Sequence, residues 1–151
     1  MFQLWRFGRT LLRLLLRRPL VGTSIIPILG DGRIVLVRRR DTRQWSLPGG
    51  LVDWGETIET AARRELVEET GLELTQVRRL VGVYSSTDRD PRMHSVCIAI
   101  AADACGQFSI SDTAEIVEVQ AFELSKLPLG YLAHDHDRQL SDFFAHRTKL
   151  S

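Results

Sequence analysis

Past residue 20 the chain alternates apolar, β-branched runs with short breaks of glycine, proline and aspartate, the pattern of strands joined by turns. Val21–Leu29 and Arg33–Arg40 are two such runs, and Gly30-Asp31-Gly32 between them predicts a hairpin. Trp45–Leu47 reads as a short strand running into Pro48-Gly49-Gly50, Leu74–Ser86 and His94–Ala104 as two longer strands, and Glu115–Glu123 as another. Between these the period changes. Ile58, Ala62 and Leu66 recur at helical spacing, with Thr57 suited to cap the start, Glu59 to the positive first turn and Gly71 to a left-handed stop. A short helix is predicted near Lys126 and an amphipathic one over Arg138–Arg147. Strands interleaved with helices predict an α/β fold, a mixed sheet with helices on its faces. No repeat or low-complexity tract interrupts it.

Residues 1–20 follow a different rule. Their apolar run is broken by Arg6, Arg9, Arg13 and Arg17, spaced three and four apart, while Trp5, Leu12 and Leu16 occupy other faces. This predicts a basic amphipathic helix ended by Pro19. The run is too interrupted for a membrane span, which needs about 20 apolar residues, or for a signal peptide. Packing against the domain or against a second copy in a homodimer is the expected use of this arm. A weak membrane-surface contact through residues 1–18 is the alternative. The expected organisation is thus an arm over residues 1–20 and one globular domain over residues 21–151.

Charge sharpens the division. The formal net charge is +1, but the arm holds 5 of the 20 basic residues and no acid, leaving 15 basic against 19 acidic groups, a net of −4, in the remainder. A mildly acidic body argues against a nucleic-acid duplex as partner, because duplex binding needs a basic footprint. Hydrophobic content of 44% and charged content of 26% are those of an ordinary globular domain. Cys97 and Cys105 have no metal-ligand spacing and form no disulfide framework, which fits a reducing cytoplasm.

The acids concentrate on one helix. At about 100° per residue, setting Glu65 at zero places Glu69 at about +40°, Glu68 at about −60° and Arg64 at about −100°. Like charges so close oppose helix formation by a few tenths of a kcal/mol per pair. Something must offset them. The acidic stripe borders the apolar one carried by Ile58, Ala62 and Leu66, so these carboxylates sit at the rim of a core rather than on a solvated face. Oxygen ligands converging there suit a hard cation such as Mg²⁺, which binds one or two carboxylates together with substrate phosphates.

The stretch over residues 50–72 carries Gly50, Glu56, Arg64-Glu65-Leu66, Glu68-Glu69 and Gly71-Leu72. With every fixed position present it resembles the signature of the Nudix hydrolase family. The resemblance implies an α/β/α sandwich with a mixed sheet and Mg²⁺-dependent hydrolysis, Mn²⁺ being able to substitute. It implies Glu65 and Glu69 as inner ligands, Glu68 as a third and the Gly49 carbonyl as another. Glu56 would act through a bound water or by orienting Arg64, and Arg64 would hold Glu68. For the general base the late acids Glu115 and Glu118 compete, and Glu115 is favoured for its place just before an apolar strand.

Residues 84–96 resemble the corresponding loop and strand of members that cleave ADP-ribose and related nucleoside diphosphates. Arg89 and Arg92 are candidates for phosphate or ribose, since guanidinium forks match phosphate oxygens. Trp54 is unusual in a polar approach to Glu56 and is a candidate substrate contact, whereas Trp45 is expected in the core and His94 in a structural role. His134 and His136, without further ligands, are expected on the surface. The partner implied is a small-molecule nucleotide. The favoured reaction splits a nucleoside diphosphate linked to another group into a nucleoside monophosphate and a phosphorylated remainder. Cleavage of nucleoside triphosphates, including oxidised ones, and nucleotide binding without turnover are the alternatives.

Overall fold

The computed structural model describes residues 18–151. The arm expected before Pro19 therefore lies, over residues 1–17, outside the described residues. In chain order the elements are β1 (Leu20–Ile28), β2 (Ile34–Arg39), β3 (Trp45–Ser46), β4 (Gly49–Leu51), α1 (Ile58–Thr70), β5 (Leu72–Tyr84), β6 (Ser95–Gly106), β7 (Ile116–Phe122), a 3₁₀ turn (Leu124–Lys126), α2 (His136–Phe144) and β8 (Lys149–Leu150).

The sheet turns on β1. One edge runs parallel to β6 along its whole length, from Leu20 beside Ser95 to Ile28 beside Asp103. Its other edge is shared: β4 pairs antiparallel over Gly22–Ser24, and β2 joins only at Ile28 opposite Ile34. β2 continues the antiparallel arm with β7 and β3. On the far side β5 pairs antiparallel with β6 through three register shifts, and β8 adds in parallel beyond it. The result is a mixed sheet in the order β3-β2-β1-β6-β5-β8, with β4 and β7 branching from β1 and β2.

Alternate residues point to opposite faces of a strand, and the chain fills both. Ile25, Val35, Ile100 and Ala102 lie with Ala62 and Leu66 of α1 in one core. Ile26, Leu36, Ala99 and Ala101 lie with Leu127, Leu132 and Leu140 in the other, beneath α2. This is the α/β/α sandwich expected. Leu66 is fully buried, which contributes roughly 1.5–3 kcal/mol; Leu66→Ala would cost about 2–5 kcal/mol once the cavity is counted.

Helix α1 begins where Thr57 accepts a hydrogen bond from the Thr60 amide. It ends at Gly71, whose φ of 77° is left-handed and whose N–H donates to the Val67 carbonyl. The following loop closes the C-terminal end: Ser109 N donates to Thr70 O, and Ser111 N and Asp112 N both donate to Glu68 O, each at 2.9 Å. These amides satisfy carbonyls that every helix end leaves open.

Four differences from the sequence expectation matter here. Gly49–Leu51, read as loop, is strand β4, because the β1 backbone supplies its partners. The last helix spans His136–Phe144 rather than Arg138–Arg147, and β8 was invisible in a two-residue segment whose pairing depends on the distant β5 edge. The first strand also begins at Leu20, so the expected arm boundary cuts one residue into it.

Candidate active site

Where β1 exchanges β4 for β2 as neighbour, the chain opens a cavity of about 360 Å³. One wall is acidic: Glu65, Glu68 and Glu69 from α1, with Asp112 and Glu115 from the loop before β7. The same cavity is lined by Arg89, Asp90 and Arg92 from the loop before β6, and Arg39, His134 and His136 complete the lining. Gly49 and Gly50 of β4 line it as well.

These glycines allow the approach. A Cβ on Gly49 would lie 2.8 Å from Ser24 Cα and closer still to the Thr23 carbonyl, and one on Gly50 would press into the Glu65 carboxylate. With no side chain on β4, its backbone reaches the acids, and Gly49 N donates to Glu69 Oε2 at 3.0 Å. Glu69 is only 3% exposed. Burial, with the Glu65 and Glu115 charges adding, raises its carboxyl to about 8 against the opposing Gly49 hydrogen bond. Burial also raises the Glu65 carboxyl from its ordinary value, although Arg64 opposes it.

Arg64 organises the rim. Its guanidinium forks onto Glu56, Nε to Oε1 and Nη2 to Oε2 at 2.9 Å each, and Nη1 donates to Glu65 at 2.7 Å. Its contact with Glu68 is longer, 3.5 Å. Arg64 thus reaches Glu68 and pairs with Glu56, and its tighter partners are Glu56 and Glu65, because the β4–α1 turn brings Glu56 round to the guanidinium. The Arg64 hydrogen bond in turn lowers Glu56 to about 2.

Of the two late acids, only Glu115 reaches the cavity. Glu118, on β7, is tied to Arg38 at 3.1 Å and lies outside the lining. The arginines of the lining are neutralised in place. Arg89 forks onto Asp135 at 3.0 and 3.2 Å and donates to Ser95 at 2.5 Å, and Arg92 forks onto Asp90 at 2.9 and 3.0 Å. Trp54 does not join them: it is fully exposed on a turn outside the lining. Trp45 packs edge-on against Phe122 at 5.0 Å, in the core as expected, and His94 bonds to the Ser85 carbonyl at 3.1 Å.

Sequence reasoning missed Arg39, Asp90 and Asp135, which only tertiary contacts bring to the site. It also set His134 and His136 on the surface, and both line the cavity. His136 is buried because its Nδ1 accepts from Leu47 N at 3.0 Å, joining α2 to the strand that leads into the glycines.

Does a divalent cation suit this arrangement? Among the described residues no three His, Cys, Asp or Glu side chains converge tightly enough to hold a metal by themselves. The donor chemistry nevertheless fits: the acids are all-oxygen donors facing one cavity, Glu69 makes no ion pair among the described residues, and the glycines leave room beside it.

Residues 18–143 match the model of the NUDIX domain, so the chain belongs to the Nudix family of pyrophosphohydrolases. It is 42% identical over 117 residues to an ADP-ribose pyrophosphatase of Methanocaldococcus jannaschii, covering 75% of this chain and 66% of that protein. It is 33% identical over 122 residues to a putative 8-oxo-dGTP diphosphatase of Bacillus subtilis, covering 81% of this chain and 78% of that one. A MutT Nudix hydrolase from Burkholderia pseudomallei superposes with a TM-score of 0.71 at 32% identity, over 83% of this chain and 98% of that structure. The family's dependence on divalent metal agrees with the acidic wall. Among the described residues, no helix is long and apolar enough to cross a membrane.

Proposed function

We propose that this protein hydrolyses a nucleoside diphosphate linked to a second group, with ADP-ribose-like molecules as substrate and Mg²⁺ as cofactor. The observation that carries the reading is the meeting in one cavity of carboxylates from α1 and guanidiniums from the loop before β6. The identity to the archaeal ADP-ribose pyrophosphatase supports this substrate class.

Glu65, Glu69 and Glu68 would hold the cation, with the Gly49 carbonyl beside them. When bound, such an ion neutralises charge on the phosphoryl oxygens and makes water acidic enough to attack. The chain's own groups do the rest. Arg64 fixes Glu65 and Glu56 in place, and Glu115 accepts the proton of the attacking water. Arg89 and Arg92, held rigid by Asp135 and Asp90, direct N–H groups at the substrate's phosphate and sugar oxygens. The two unpaired cysteines suit a cytoplasmic setting. Dimerisation or lipid contact through the N-terminal arm belongs to residues outside the description.

Phosphate release, coupled to a phosphatase, would be measured over ADP-ribose, dinucleotides, sugar nucleotides and triphosphates with Mg²⁺ or Mn²⁺. ADP-ribose should be the preferred substrate. Activity confined to triphosphates would favour the second reading, to which the Bacillus subtilis relative points. No turnover anywhere would leave a nucleotide-binding module.

A further inference from the structure

Most donors lining the cavity beside the acids of α1 already have partners. Arg89 is engaged by Asp135 and Ser95, Arg92 by Asp90, and Arg39 by Asp41 at 2.9 and 3.0 Å. His136 differs. Its Nδ1 accepts from the Leu47 amide, so the ring hydrogen belongs on Nε2. Among the described residues Nε2 has no protein partner, yet it is not sealed off: the buried side-chain polar atom left without a partner is Ser151 Oγ, not this nitrogen. The ring lines the cavity, so Nε2–H is a donor open to it.

Position narrows what it can meet. Leu47 and Gly49 are two residues apart, at most about 7 Å of chain, and Gly49 N holds Glu69. The imidazole is thus anchored on the same short segment that holds Glu69, and both line one cavity. Charge narrows it further. Burial holds the imidazole well below its usual pKa, with His134, Arg89 and Arg39 adding to the effect. An uncharged donor beside arginines that serve the phosphates suits an uncharged oxygen better than a phosphate.

Building on the proposed nucleoside diphosphate substrate, we infer that His136 is a specificity-determining residue whose Nε2–H donates to a ribose hydroxyl next to the cleaved diphosphate. The Leu47 amide fixes its tautomer and aim, and β3 and α2 hold the donor at a set distance from the glycines of β4. A substrate without a hydroxyl there leaves this buried donor unpaired and is disfavoured.

Two isosteres separate aim from contact. In His136→Asn the amide oxygen can still accept from Leu47 N but nothing reaches the cavity; in His136→Gln the amide NH₂ sits near the position of Nε2. Steady-state kinetics on ADP-ribose should show KM raised about five- to tenfold in the Asn variant, with kcat nearly unchanged and the Gln variant close to wild type. For a dideoxy analogue of one of the two riboses, the difference between wild type and the Asn variant should vanish. An unchanged KM in a folded Asn variant would overturn the inference, as would equal losses in both variants or a difference that persists in every dideoxy analogue. Should the substitutions prevent folding, the Nε2 proton resonance of the wild-type ring provides the measurement. It should shift when an ADP-ribose analogue with a methylene in place of the bridging oxygen binds, and a silent resonance overturns the assignment. Wild-type protein that cleaves no nucleoside diphosphate would instead defeat the proposed function, a separate outcome.

Discussion

Burying the Glu69 carboxyl costs stability, and Glu69→Gln measures how much. Glutamine keeps the shape and an oxygen for the Gly49 amide but removes the titration. In the folded chain the Glu69 carboxyl titrates near 8, against an ordinary value of 4.5. Below pH 4.5 the group is protonated in both folded and unfolded chains and costs nothing relative to glutamine. Between pH 4.5 and about 8 the unfolded chain releases the proton while the folded one keeps it, so stability falls as pH rises. Above about 8 the cost is complete. At about 1.4 kcal/mol per pKa unit, with allowance for relaxation of the site, this amounts to about 2–5 kcal/mol. For a domain of this size that is roughly 5–15 °C in Tm. Thermal unfolding in EDTA at pH 4.5, 6.5 and 8.5 should therefore show the glutamine variant gaining on wild type with rising pH. Added Mg²⁺ should then stabilise wild type and leave the variant behind. A difference that is the same at all three pH values, or no gain at pH 8.5, would refute the buried-acid argument.

Removing the proton acceptor should be costly at only one of the two late acids. Glu115→Gln is expected to lower kcat about 10²–10⁴-fold, whereas Glu118→Gln, paired with Arg38 outside the cavity, should stay close to wild type; equal, mild losses would place the base within α1. Gly50→Ala sets a methyl group against the movable Glu65 carboxylate rather than against backbone, so it should fold normally while isothermal titration shows Mg²⁺ affinity lowered about 10–100-fold. Unaltered binding would mean Glu65 is no ligand.

How much of this could be read from the chain depended on the range of the interactions. The acidic helix was legible because one period fixes Ile58, Ala62 and Leu66 on one side and Glu65, Glu68 and Glu69 beside them, with Thr57 and Gly71 marking its ends. The long strands were legible from their apolar runs. β4 was not, since Gly49 and Gly50 disfavour strands by propensity and are required there by the closeness of Thr23, Ser24 and Glu65. The rest of the lining was legible only as two arginines. Asp135, the partner of Arg89, and the donor His136 lie more than forty residues further along, and no local pattern links them to Arg89. Trp54 misled because oddity in a sequence does not say which way a turn will face.

The amides of Ser109, Ser111 and Asp112 that close the end of α1 lie just ahead of Glu115. Glu115 and the acidic helix are thereby fastened into one mechanical unit, which any displacement moves together. The loop bearing Arg89 and Arg92 is moored elsewhere, on Asp135 and Ser95. Evolution could therefore retune which nucleotide is welcomed by rewriting that loop alone, without loosening the machinery that breaks the bond.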